Sequence, residues 1–128
     1  MSSVEDMAIA EAKRILQNSY SPYSGFKVGA SLVSVDDRIF AGTNVENSSY
    51  GLTICAERAA LTRAVSEGIR EFKLLVLVSE GNKCILPCGA CLQVLSEFCQ
   101  DLKIISITDS GETKLTTLKE IFPAGFRL

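Results

Sequence analysis

Apolar residues recur along the chain with two periods, and the changes of period mark its elements. Ser2 and Glu5 have the spacing of a capping box, and Ala8, Ala12, Ile15 and Leu16 then share one helical face, so a first helix should run to about Asn18. The stretch Tyr20-Ser21-Pro22-Tyr23-Ser24-Gly25 breaks it. From Phe26 the period shortens to two, with Val28, Ala30 and Leu32 alternating, and Asp36-Asp37 separates this run from Arg38-Ile39-Phe40-Ala41, which predicts a hairpin. Polar residues from Asn44 to Thr53 lead into a helical segment from Cys55 to Glu67, with Thr53 as candidate cap and Gly68 as the stop. Phe72 to Val78 is a nearly continuous apolar run, the pattern of a strand buried on both faces. Pro87 opens a further helix from Cys88 to about Cys99, with Cys91, Val94, Leu95 and Phe98 at helical spacing. Lys103 to Thr108 reads as a strand, Asp109-Ser110-Gly111 as a turn, and Leu115 to Phe122 as a short helix or edge segment stopped by Pro123. A strand buried on both faces needs cover on both sides, so the order of elements predicts an α/β domain: a mixed sheet with helices on both faces.

Composition narrows the classes this fold can serve. At 128 residues the chain fits one domain, spanning 1–128, that buries roughly two thirds of its unfolded surface. The hydrophobic fraction of 47% is at the high end for a globular protein, leaving apolar surface available for subunit contacts. The net charge of −2, with Lys and Arg scattered, offers no footprint for a phosphate backbone, which excludes nucleic acid as a partner. Five cysteines, an odd number, follow no charged and apolar leader pattern, so reduced thiols in the cytoplasm are expected, not a secreted disulfide scaffold. No apolar run approaches the roughly 20 residues of a membrane span, so no membrane partner is expected.

Chemistry concentrates in Cys55-Ala56-Glu57-Arg58 and Pro87-Cys88-Gly89-Ala90-Cys91. Both motifs stand at predicted helix starts, where unpaired N–H groups and the helix dipole favour thiolate over thiol. Three thiolates from Cys55, Cys88 and Cys91 would hold a zinc ion and leave a fourth position open, as catalytic zinc sites do. The chain has no histidine, so proton transfer falls to a carboxylate, a cysteine or water, and Glu57 is the candidate. Arg58, three residues after Cys55, can donate to thiolate sulfur and offset the charge of a three-thiolate site. Simpler readings stand beside these: a redox dithiol for Cys88 and Cys91, a first-turn acid for Glu57 and a solvated helix residue for Arg58. Cys84, four residues before Cys88, would close a structural zinc site if it were a ligand. Cys99 lies about 16 Å along the helix from Cys88 at roughly 1.5 Å per residue and reads as a small core residue. The hydrogen-bonding stretch from Gly42 to Gly51 suits either a hydroxylated substrate or ordinary turn chemistry.

Taken together, Ser21 to Ala30, Asn44-Val45-Glu46-Asn47, the two cysteine motifs and Phe122-Pro123-Ala124-Gly125-Phe126 resemble the small homotetrameric cytidine deaminases. The resemblance spans nearly the whole chain. It implies the three-layer α/β/α fold of that family, one zinc per chain, and hydrolytic deamination of cytidine and 2′-deoxycytidine, with Glu57 moving the protons. It further implies that Asn44 and Glu46 grip the ribose, that Phe26 packs beside the nucleoside, and that Ala56 with Glu57 addresses the base. Tyr50 and Phe126 would complete the pockets of neighbouring subunits in a homotetramer. Related deaminases of aminonucleoside antibiotics share the zinc motifs, and the Asn44 and Glu46 pair favours a ribose over them. Leu92 departs from the many relatives that carry arginine after the second cysteine of the motif.

Overall fold

The computed structural model describes residues 3–128. Five strands form one mixed sheet in the order β2-β1-β3-β4-β5, built from β1 (Val28–Ser34), β2 (Ile39–Thr43), β3 (Phe72–Ser79), β4 (Lys103–Thr108) and β5 (Thr113–Thr117). The hairpin β1-β2 is antiparallel and β1 also pairs antiparallel with β3; β3 and β4 are parallel, and β5 returns antiparallel to β4. The helices are α1 (Val4–Leu16), α2 (Ala56–Ser66), α3 (Gly89–Ser96) and the short α4 (Leu118–Ile121), with a 3-10 turn at Tyr50–Leu52.

Two apolar clusters divide the sheet's faces and make three layers. On one, Ala8, Ala12 and Leu16 of α1 pack with Val33, Val76, Val78, Ile105 and Ile107. On the other, Ala56, Ala60, Leu61 and Ala64 of α2 and Leu92 and Leu95 of α3 pack with Ala30, Leu32, Leu75, Leu77 and Ile104. The expected α/β layering is what the chain forms. Leu92 is 8% exposed within the second cluster, so the position that departs from the resembled family serves packing here.

Small residues let both helical layers approach the sheet closely. A Cβ on Gly29 would stand 2.2 Å from the Ala12 carbonyl oxygen of α1, and one on Gly42 would stand 2.4 Å from the Ala60 nitrogen of α2. Such contacts leave no room for any side chain at either position.

Several expectations are corrected. The proposed cap Ser2 lies outside the described residues, and Ser3 caps α1 by accepting from the Asp6 N–H at 3.0 Å. Helix α1 ends at Leu16, two residues early, and α3 ends at Ser96. Strand β1 is buried at all seven positions instead of alternating, because α1 and α2 cover opposite faces of it. Thr53 does not cap α2: Cys55 is the N-cap residue, and the Thr53 hydroxyl accepts from the Asn47 N–H. Leu115 to Phe122 divides into the end of edge strand β5 and helix α4. Among the described residues no helix is long and apolar enough to cross a membrane.

Candidate metal centre and active site

Helices α2 and α3 both begin at a cysteine in extended conformation, Cys55 (φ −74°, ψ 154°) and Cys88 (φ −69°, ψ 167°). Neither sulfur makes the capping hydrogen bond that a serine or aspartate would make there, so both are available to other partners. Cys91 follows in the first turn of α3. The Cys55 and Cys88 sulfurs lie 4.0 Å apart and those of Cys88 and Cys91 3.6 Å apart, with all three within 4.8 Å of one another. A tetrahedral zinc with bonds of roughly 2.3 Å separates its sulfurs by roughly 3.8 Å, so the donor set fits this metal in both chemistry and spacing.

The surroundings carry the electrostatics such a centre needs. Arg58 Nη2 donates to Cys55 Sγ at 3.5 Å, while its buried Nε has no partner among the described residues. Hydrogen bonding from Cys91, and then from Arg58, lowers the Cys55 thiol to about 5. The Cys91 thiol moves the opposite way, because it shares its proton with Cys55 and is buried. Glu57, 5% exposed, is pushed up to about 7, chiefly by burial and then by the neighbouring Cys55 charge. A carboxyl near neutrality can both accept and return a proton at physiological pH.

Cys84 and Cys99 stand apart from this cluster. Cys84 Sγ lies 3.4 Å from the carbonyl oxygens of Ser106 and Glu112, and Cys99 is buried in the core, its thiol raised to about 11 by burial.

A cavity of about 270 Å³ opens onto the cluster, lined by Val28, Asn44, Thr53, Cys55, Ala56, Glu57, Ile85, Leu86 and Cys88. A neighbouring cavity of about 360 Å³ is lined by Tyr23, Ser24, Glu46, Tyr50 and Thr53, so Thr53 is a wall of both. Paired backbone hydrogen bonds of 2.9 Å between Val45 and Ile54 fold the polar stretch back on itself, bringing Asn44 beside Cys55.

Most polar capacity in this stretch is already committed. Asn44 Oδ1 accepts from the Val28 N–H and the Ser19 hydroxyl, and its Nδ2 donates to the Phe26 carbonyl, which leaves one amide proton free. Glu46 Oε1 accepts from the Tyr23 and Ser24 N–H groups and Oε2 from the Ser24 hydroxyl, so one of its roughly four lone-pair sites remains. Those bonds, the Ser24 hydroxyl foremost, hold its carboxyl below the usual carboxylate range.

Of the expected site residues, Cys55, Ala56, Glu57, Cys88 and Asn44 line the first cavity, and Glu46 and Tyr50 the second. Phe26 is 37% exposed and borders neither. Phe126 is 68% exposed, its backbone pinned to Gln93 by two hydrogen bonds away from both cavities. Reading the sequence missed Thr53 as a wall residue, and missed Ile85 and Leu86. An apolar pair within an otherwise polar loop was the available signal for these two.

A buried carboxyl beside three cysteine sulfurs at two helix mouths, on a mixed sheet covered on both faces, defines a zinc protein built for hydrolysis. The family model for the cytidine and deoxycytidylate deaminase zinc-binding region matches residues 2–107, and the chain belongs to that family. The cytidine deaminase of Sporosarcina psychrophila is 44% identical over 119 residues, covering 92% of this chain and 88% of its own. That of Halalkalibacterium halodurans is 42% identical over 121 residues, covering 94% and 92%. The crystal structure of cytidine deaminase from Burkholderia pseudomallei superposes with a TM-score of 0.89 at 42% identity, over 94% of this chain and 97% of that one.

Proposed function

We propose that this chain, as one domain spanning 1–128, hydrolyses free cytidine and 2′-deoxycytidine to uridine and 2′-deoxyuridine with release of ammonia. The observation that carries the reading is Glu57, buried and near neutral, on the wall of the cavity that also exposes Cys55 and Cys88. Cys55, Cys88 and Cys91 would hold the zinc, and Arg58 offsets the excess negative charge of their thiolates. Zinc, when bound, supplies Lewis acidity that makes water acidic enough to serve as a nucleophile near neutral pH.

The chain's own residues account for the proton traffic. Glu57 accepts a proton from the attacking water and delivers it to N3 of the base while the C4–O bond forms. It then takes the second proton from the hydroxyl now on C4 and carries it to the exocyclic nitrogen; the C4–N bond breaks as the C4 carbonyl forms, and ammonia leaves. The Ala56 backbone and the apolar wall of Ile85 and Leu86 orient the base. The free amide proton of Asn44 can donate to a ribose hydroxyl oxygen and the remaining lone pair of ionised Glu46 can accept from a ribose hydroxyl, with Phe26 against the nucleoside. Tyr50 and Phe126, both largely exposed, are the residues offered to neighbouring subunits of a homotetramer. A cytoplasmic location fits the free thiols.

One experiment tests the core of this reading: zinc content per chain, measured together with the ultraviolet loss of cytidine. One zinc and cytidine turnover are expected, with aminonucleoside antibiotics much poorer substrates. Zinc without turnover of either would return the chain to a structural-zinc module, and no zinc at all to a redox dithiol.

A further inference from the structure

Ser106 and Cys84 have no task in the reading above, yet both meet the same stretch of chain. The segment from Glu80 to Pro87 crosses from the end of β3 toward α3 and belongs to no helix or strand. It supplies Ile85 and Leu86 to the cavity wall and leads directly into Cys88. Strand β4 fastens it. Ser106, fully buried in that strand, donates its hydroxyl to the Ile85 carbonyl at 2.6 Å. No backbone N–H among the described residues donates to that carbonyl. One residue earlier, the Cys84 sulfur lies 3.4 Å from the carbonyl oxygens of Ser106 on β4 and of Glu112.

A serine here runs against its surroundings. Ile104, Ile105 and Ile107 fill the neighbouring positions of β4, and alternation puts residue 106 on the α2 and α3 face with Ile104. A hydroxyl buried at such a place is costly unless it is hydrogen-bonded, and its bond goes to the loop. The Cys84 thiol has one proton and is a weak donor, so it serves one carbonyl at a time and only assists.

We infer that Ser106, assisted by Cys84, is a positioning residue: its hydroxyl fixes the Ile85-Leu86 wall of the cavity and the approach of Cys88 to Cys55 and Cys91. The metal part rests on the function proposed above; the loop part does not.

Ser106→Ala, Ser106→Cys and the control Ile107→Val separate this role from mere stability. Ile107 lies on the same strand but packs toward α1, and losing one methylene there lowers stability without touching the loop. Loss of one net hydrogen bond should raise tryptic cleavage after Lys83, exposed in this loop, about fivefold in Ser106→Ala, each rate being divided by that of the same variant unfolded. Zinc transfer to a chromogenic chelator should quicken by a similar factor, and KM for cytidine should rise more than kcat falls. Ser106→Cys, whose thiol is the weaker donor, should recover only part of the protection, and Ile107→Val should leave loop cleavage and zinc transfer unchanged despite a lower Tm. Wild-type cleavage after Lys83 in Ser106→Ala, or equal loosening in Ile107→Val, would overturn the inference. Cys84→Val carries the same test without entering the core: a smaller rise, about twofold for a weak donor, is expected, restored in Cys84→Ser, and no rise overturns the role assigned to the thiol. Cleavage is read without turnover, so an inactive wild-type protein would sink the proposed function and leave the loop result standing.

Discussion

Replacing Gly42 by alanine should damage catalysis through packing alone. The added Cβ would stand 2.4 Å from the Ala60 nitrogen and 2.9 Å from the Ala56 carbonyl oxygen, where ordinary contact begins at 3.4 Å. Both atoms are backbone, so no side chain can swing aside, and α2 must withdraw from β2 by about 1 Å. Overpacking of this kind costs about 1–3 kcal/mol. Helix α2 opens with Ala56 and Glu57 directly after Cys55, so its withdrawal carries Glu57, the proposed proton carrier, and one sulfur with it. A misplacement of about 1 Å at reacting groups costs on the order of 10²-fold in rate. Gly29→Ala makes the matched comparison, since its Cβ would meet the Ala12 carbonyl oxygen of α1 at 2.2 Å, on the opposite face of the sheet. Urea unfolding should show both variants destabilised. Turnover per bound zinc, measured well below both Tm values, should collapse only for Gly42→Ala. Wild-type turnover per zinc in Gly42→Ala, or an equal loss in Gly29→Ala, would refute the link between this contact and the site.

Alanine at Cys55, Cys88 or Cys91 should release zinc and abolish activity, whereas Cys84→Ser and Cys99→Ser should keep both, as metal analysis and cytidine assays will report. Glu57→Gln should retain zinc and fold but lose about 10²-fold to 10⁴-fold in kcat, the usual worth of general acid–base catalysis. Glu46 is held below its ordinary value of 4.5 by Ser24, so its contribution to loop stability is complete above that value and lost as pH falls through the lowered one. Ser24→Ala should therefore begin to lose the loop at higher pH, an acid limb readable by intrinsic fluorescence because all three tyrosines, Tyr20, Tyr23 and Tyr50, flank it and the chain has no tryptophan. Mixing inactive Glu57→Gln with an inactive Phe126 variant under subunit exchange should restore some activity if Phe126 completes a neighbour's pocket; none, despite demonstrated exchange, would keep Phe126 within its own chain.

What was legible in the sequence followed the strength of the burial signal. Strand β4 occupies Lys103–Thr108 as expected, because Ile104 on one face and Ile105 and Ile107 on the other demand cover on both. Strand β1 misled by the same logic in reverse. Gly29 and Ser31 look like polar-side positions of a half-buried strand, yet both are buried, Gly29 as the seat of α1. Strand β5 contains one large apolar residue, Leu115, which is 64% exposed. Its pairing with β4 depends on backbone hydrogen bonds at a sheet edge and leaves no hydrophobic pattern to find. The cavity wall of Ile85 and Leu86 was hidden for a related reason: a loop's position comes from single long-range bonds such as Ser106 to Ile85, which no local period encodes.

The metal centre was readable because both cysteine motifs stand at predicted helix starts, and the structure adds that each breaks a local rule there. Serine, threonine, aspartate or asparagine at an N-cap stabilises a helix by about 1 kcal/mol relative to residues that cannot cap. Helices α2 and α3 both forgo that bond, beginning at cysteines whose sulfurs face each other across 4.0 Å. One such departure would be an accident of sequence. Two, converging with a third sulfur while Arg58 donates to Cys55, mean that the lost caps are offset by an interaction the helices make together. The same geometry explains why Glu57 belongs to the site: one residue into α2, it shares the helix mouth with Cys55 but is buried too deeply for its charge to be a simple complement to the helix dipole. An acid placed there only for the dipole would sit in solvent, with its pKa lowered. Burial drives it the other way, to about 7, where a carboxyl is a poor source of helix stability and a good carrier of protons.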